Sequence, residues 1–210
     1  MAVLEQIKKA VETATGLGRP RKQQLPKLVK PRAPRRYRFE DDGQTPNNPR
    51  LPLVIYRGAV QRRRGLDPAA IFETLFAANG WKGSWRDGIY DFNHFHTRTH
   101  EVLGIVRGEA RVQFGGVAGR TLTVKAGDVV ILPAGTGHRR ISASDDLLVV
   151  GAYPATGGYD EPKPGEVSHA LALRRIAKVR HPARDPVYGR DGPLIASWKP
   201  RTRAPRRKPR

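Results

Sequence analysis

The chain has 210 residues, enough for one sizeable core, and it carries a formal charge of +20 with no cysteine. Disulfides, thiolate nucleophiles and thiolate zinc sites are excluded, so any metal must be held by nitrogen and oxygen. No run approaches the ~20 apolar residues that cross a bilayer, and the first residues lack the pattern of a secretory signal, so the expectation is a cytoplasmic protein with no membrane partner.

The charge is concentrated at the ends. Residues 1–38 hold 11 Lys and Arg against 2 Glu, and residues 199–210 hold 7 against none, leaving +4 on the 160 residues between. Leu4, Ile7, Val11 and Ala14 recur at helical spacing before Gly16 and Gly18, which predicts a short amphipathic helix. The run RPRKQQLPKLVKPRAPRR mixes Pro with Lys and Arg and predicts an extended linker that buries little. Residues 1–36 therefore read as a basic helix and linker, residues 37–198 as a single folded domain, and residues 199–210 as a basic disordered tail. Both tails lack the interleaved aromatics of a base-stacking surface, so nucleic-acid binding ranks last among the functions considered.

Within the domain, QTPNNPRLP reads as a structured turn. A helix is well marked after it: Asp67 is a suitable N-cap, Pro68 needs no donor in the first turn, Ile71, Phe72, Leu75 and Ala78 form one apolar face, and Gly80 is a stop. From Trp81 to Pro154 the pattern becomes short apolar runs, GIYDFNHF, VLGIV, ARVQF, LTVKA, DVVIL and DLLVVGAY, separated by Gly-rich turns. That pattern predicts an all-β sandwich or barrel. Residues 155–198 read as loop-rich, with a short helix near 167–178 and no function attached.

The polar cluster HFHTRTHE lies in this β region. If GIYDFNHFH is a strand, Tyr90, Phe92, His94 and His96 share one face and two imidazoles emerge side by side, able to grip one ion. Alone, His-x-His is a weak signal, and a surface pair of histidines is the commoner explanation.

The wider spacing is more specific. Gly88, His94, His96, Glu101 and Gly108 fit G-x5-H-x-H-x(3,4)-E-x6-G. Gly127, Pro133, Gly135 and His138 fit G-x5-P-x-G-x2-H-x3-N, with Ser142 where that pattern has Asn. In these two motifs, which span residues 88–142, the chain resembles the cupin superfamily, and within it the small single-domain bacterial cupins of no assigned activity. The resemblance implies a double-stranded β-helix, a jelly-roll-like barrel with a few peripheral helices, holding one metal through His94, His96, Glu101 and His138. It also implies a homodimer. Three neutral imidazoles and a carboxylate suit one divalent transition metal, Fe, Mn, Ni, Cu or Zn, with positions left open for water or a small-molecule ligand.

His100 directly precedes Glu101, and neighbours on a strand face opposite ways, so His100 is read as a bystander and not as a ligand, with a hydrogen-bonding neighbour of the ligands as its fallback role. If His138 points inward, Arg140 shares its face and could clamp a carboxylate or phosphate, which would indicate an anionic substrate. The alternative, a strand that bulges after His138 and sends Arg140 to solvent, stands equally beside it. Tyr90 is a second catalytic candidate, with simple packing as its alternative. His169 and His181 lie outside both motifs and read as surface residues. The leading functional reading is a metal-dependent enzyme of oxygenase or isomerase type acting on a small molecule inside the barrel. The alternative is a non-catalytic, metabolite-binding or regulatory cupin.

Overall fold

The apolar runs are continuous because the sheet they build is buried on both faces. In the computed structural model, which describes residues 17–155 and 158–199, the strands are β1 (Arg35–Tyr37), β2 (Leu53–Tyr56), β3 (Trp81–Asp87), β4 (Glu101–Arg107), β5 (Glu109–Phe114), β6 (Arg120–Lys125), β7 (Val129–Leu132), β8 (His138–Ala143) and β9 (Leu148–Pro154). They form a six-stranded sheet, β1-β2-β7-β4-β9-β3, and a three-stranded sheet, β6-β5-β8, antiparallel throughout. The amphipathic helix expected over residues 2–15 and the tail from residue 200 lie outside the described residues.

Alternation along each strand sorts the side chains into two cores. Leu53, Ile55, Leu103, Ile105, Val130, Leu132 and Val149 face inward, against Val112, Phe114 and Val124 of the smaller sheet. Their neighbours Val54, Tyr56, Val102, Val106, Val129, Ile131 and Val150 face outward. That outer face is covered by α1 (Pro68–Ala78), a 3-10 turn (Lys22–Leu28) and α3 (Pro193–Trp198). Each large side chain fully buried in this way contributes roughly 1.5–3 kcal/mol. The remaining helix, α2 (His169–Ile176), packs its Ala172 and Ile176 on Phe95 and Ala134.

The helix α1 follows its sequence signals. Asp67 Oδ1 accepts from the Ala69 N–H at 2.9 Å, and Ile71, Phe72 and Leu75 are buried. It lies so close to β4 that a β-carbon at Gly104 would stand 2.2 Å from a Phe72 ring carbon. Only a glycine strand position admits the helix at this depth.

Two expectations are corrected. Residues 19–36 are not an extended linker that buries little: Val29 bridges Val60, and Leu25 and Leu28 are buried on the outer core. The reason is their spacing, since three residues per 3-10 turn stack both leucines on one side. GIYDFNHF is not a regular strand either, as the regular strand is the preceding WKGSWRD. The backbone of 90–96 divides its hydrogen bonds between two partners: Tyr90 O accepts from Arg140 N and His94 exchanges bonds with His138, while Phe95 N donates to Pro162 O.

Candidate metal centre

The irregular segment nonetheless keeps its alternation. Tyr90 stacks on Phe92 (centroids 4.7 Å, 15°), Phe92 lies 5.7 Å from His94, and His94 lies 5.9 Å from His96, so the four rings share one side as expected. The His94–His138 backbone bridge then brings the second motif alongside the first. The turn PAGTGH makes this approach possible. Its Gly135 has φ +91°, donates its N–H to His96 O at 2.7 Å, and would press a β-carbon to 2.5 Å from Asn47 O.

Each of the three histidines has a main-chain carbonyl behind Nδ1: Phe92 O for His94 at 3.3 Å, Asp160 O for His96 at 2.5 Å and Thr136 O for His138 at 3.3 Å. A carbonyl only accepts, so these contacts place the imidazole proton on Nδ1 and leave the Nε2 lone pair free. Potential ligand atoms of His94, His96 and His138 all lie within 4.8 Å of one another. Glu101, the first residue of β4, turns to the same inner face as Leu103. Its Oε2 lies 3.3 Å from Nε2 of both His96 and His138.

A fit test for a metal follows from these contacts. His96 Nε2 and Glu101 Oε2 are buried without a hydrogen-bond partner. With Nδ1 protonated, lone pairs face one another, an arrangement that costs several kcal/mol unless a cation stands between them. Two donors about 2.1 Å from one ion, at angles near 90–110°, are roughly 3.0–3.5 Å apart, which matches the 3.3 Å separations. The residues therefore fit a metal ion. In its absence a proton is the substitute. Burial works against charge at His96, but the Glu101 carboxylate outweighs it and raises the His96 pKa. Burial would likewise raise Glu101, and the imidazoles of His96 and His138 reverse this and hold it below the ordinary carboxylate range. His94, farther from the carboxylate, is pushed down to about 3 by burial and by His138.

A cavity of about 290 Å³ opens onto this cluster. Its wall includes Trp85, Asp87, Ile89, Tyr90, Leu103, Tyr153, Tyr159 and Glu161. Tyr90 is at the mouth, 45% exposed. Arg140 is not in the wall among the described residues. It keeps the His138 face, opposite Val112, and β8 shifts register one residue later. Of the two readings of Arg140, the anion clamp has no counterpart in this wall and the bulge has one in the register shift. His100 is turned to the outer core, where its ring lies 4.6 Å from that of Trp198 and its Nδ1 accepts from Ala134 N at 2.9 Å. It makes no hydrogen bond to any of the four clustered residues, so of its two expected roles the hydrogen-bonding neighbour finds no contact, and the alternation that turned Glu101 inward leaves His100 apart from the cluster. His181 is exposed, and His169 pairs with Asp41 at 2.7 Å.

Residues 158–162 supply what the sequence did not disclose. Asp160 accepts from Thr97 N at 2.9 Å and Arg98 N at 3.0 Å, and from the Thr97 hydroxyl, while its carbonyl backs His96. The Tyr159 ring lies 5.5 Å from His96 and 5.2 Å from Tyr153. Tyr153 was within reach of sequence reasoning, because Val149, Gly151 and Tyr153 alternate along β9 and Val149 is inward. Gly151 leaves room for the Trp85 indole, whose Nε1–H donates to Tyr153 OH at 2.8 Å.

Comparison with known proteins agrees with this architecture. A cupin domain model matches residues 87–150. The uncharacterized protein YjlB of Bacillus subtilis (strain 168) is 40% identical over 164 residues, which is 77% of this chain and 94% of YjlB. Among solved structures, an acireductone dioxygenase from Bacillus anthracis with cadmium in its active centre aligns at 20% identity over 44% of this chain and 65% of that one, with a TM-score of 0.34. Bacillus subtilis oxalate decarboxylase aligns at 22% identity over 56% of this chain and 28% of that one, with a TM-score of 0.33. The matched part spans less than two thirds of either solved chain. With a cupin domain over its motif core and a relative matched across nearly its whole length, the chain belongs to the cupin superfamily.

Proposed function

We propose that this cupin is a metal-dependent enzyme of oxygenase or isomerase type, with His94, His96, Glu101 and His138 holding one divalent transition metal beneath a small-molecule cavity. The observation that carries the reading is the pair of buried donors without partners, His96 Nε2 and Glu101 Oε2, at the base of that cavity. When bound, the ion would act as a Lewis acid and, if redox-active, would support dioxygen chemistry.

The chain's own groups have separable tasks. The carbonyls behind Nδ1 fix the tautomer of three imidazoles, and the Asp160 latch holds the segment that carries His96. Tyr153 OH accepts from Trp85 Nε1 and lies within hydrogen-bonding reach of Glu101, which fixes the phenol beside the cluster. Burial, reinforced by Glu101, raises the Tyr153 pKa and keeps it a neutral phenol, suited to donate a hydrogen bond and unsuited to act as a base. Ile89 and Leu103 supply the apolar part of the wall.

Metal content after reconstitution with Fe, Mn, Ni, Cu or Zn tests the reading. About one ion per chain is expected in the wild type and far less in His94→Ala. Equally negligible metal in both would remove the foundation of the proposal. A loaded protein that binds small molecules yet turns over none of a broad panel would favour the non-catalytic alternative.

A further inference from the structure

The cavity rim has a charge opposite to that of the chain. The sequence holds 39 Lys and Arg against 19 Asp and Glu, yet the outer wall of the cavity carries two carboxylates, Asp87 and Glu161. Neither has an ion-pair partner among the described residues. Arg86 also borders the cavity, but alternation along β3 sends Trp85 and Asp87 toward it and the Arg86 guanidinium toward α1. There it holds Glu73 at 2.7 and 3.0 Å and Asp67 at 2.8 Å. Histidines aside, no cationic side chain in the described wall is left to meet an anion.

The rim is also aromatic. Tyr90, Tyr159 and the deeper Tyr153 line it, and ring faces attract ammonium groups. One ring of this stack already does so within the chain: Lys163 Nζ sits 4.2 Å from the centroid of Phe92, on which Tyr90 stacks. At the other end of the cavity, His96 and Glu101, 4% and 2% exposed, present the unpartnered Nε2 and Oε2. A ligand that uses both ends must be compact, since about 290 Å³ is near the lower limit of small-molecule sites, roughly 300–1,000 Å³.

We propose that the cavity selects a small amine carrying an oxygen donor, with its ammonium held at the rim among Asp87, Glu161 and the tyrosine rings and its oxygen directed to the histidine cluster. The inner half of this assignment rests on the metal reading above, whereas the rim half stands without it. The test is calorimetric titration of the full chain with two probes of the same ring and hydroxyl but opposite charge, tyramine and 4-hydroxyphenylacetate. It is run on chelator-treated and on Ni-loaded protein of measured metal content, at ~0.15 M salt, where the Debye length of about 8 Å screens the distant positive charge. Tyramine is expected to bind at least about tenfold more tightly than the acid in both forms. An Asp87→Asn/Glu161→Gln double variant should lose that preference and keep its metal content. Tighter or equal binding of the acid, binding of neither probe, or a preference that survives in the double variant would each overturn the assignment. Preference for tyramine in a wild type that takes up no metal would uphold the rim and refute only the metal reading.

Discussion

The two faces of the large sheet both bury charge, and they treat it differently. On the outer face Asp185 is fully buried, and its carboxylate accepts from Tyr56 OH at 2.5 Å and from the N–H groups of Val187, Tyr188 and Leu194 at 2.8, 3.1 and 3.0 Å. Glu73, on α1, holds Arg86 in a forked pair and Arg19 at 3.0 Å. On the inner face Glu101 is equally buried, but its Oε2 meets only imidazole nitrogens, and His96 Nε2 has no partner. A buried charge with every lone pair occupied stabilises the fold it belongs to; one left open marks a candidate site for binding.

Substitutions can break this contrast in order of effect on stability. Asp185→Ala strands a phenol and three backbone donors in the outer core and is expected to cost about 3–5 kcal/mol, read from the urea unfolding midpoint. Glu73→Gln removes the anion that Arg86 and Arg19 share; because Arg86 keeps Asp67 and retains some solvent, the expected loss is about 2 kcal/mol by the same measurement. Glu101→Gln should change the stability of the metal-free protein by less than about 1 kcal/mol while weakening metal binding by roughly 100-fold or more, measured by competition with a chelating dye. A cost near that of Asp185→Ala, with metal affinity retained, would erase the distinction between the two faces. Asp160→Ala should have the smallest effect on unfolding and reduce metal affinity about tenfold, because it frees the segment behind His96 without removing a ligand atom.

Much of the inner face was legible in the sequence because it depends on local spacing. The motif positions, the cap at Asp67 and the alternation that separates His100 from Glu101 all act within a few residues. Alternation also placed Tyr90, Phe92, His94 and His96 on one side although no regular strand forms there. What could not be read depends on contacts distant in the chain. The Asp160 latch reaches Thr97 across 63 residues, and no local pattern marks a loop aspartate as the acceptor for another loop. The docking of residues 19–36 was hidden because two leucines among many prolines and arginines are a weak apolar signal until a surface is present to receive them. Arg140 was ambiguous because parity fixes the face of a residue but not whether a neighbouring strand exists to enclose it.

The backbone bridge between His94 and His138 joins parts of the chain that meet only after β4 to β7 have been threaded between them. His94, His96 and Glu101 lie within eight residues of one another, whereas His138 joins them only through this bridge. On the metal reading proposed above, binding by the full set requires that closure, so uptake of an ion would be coupled to it. The expected outcome is a melting temperature that climbs with the logarithm of free metal concentration once that exceeds the dissociation constant.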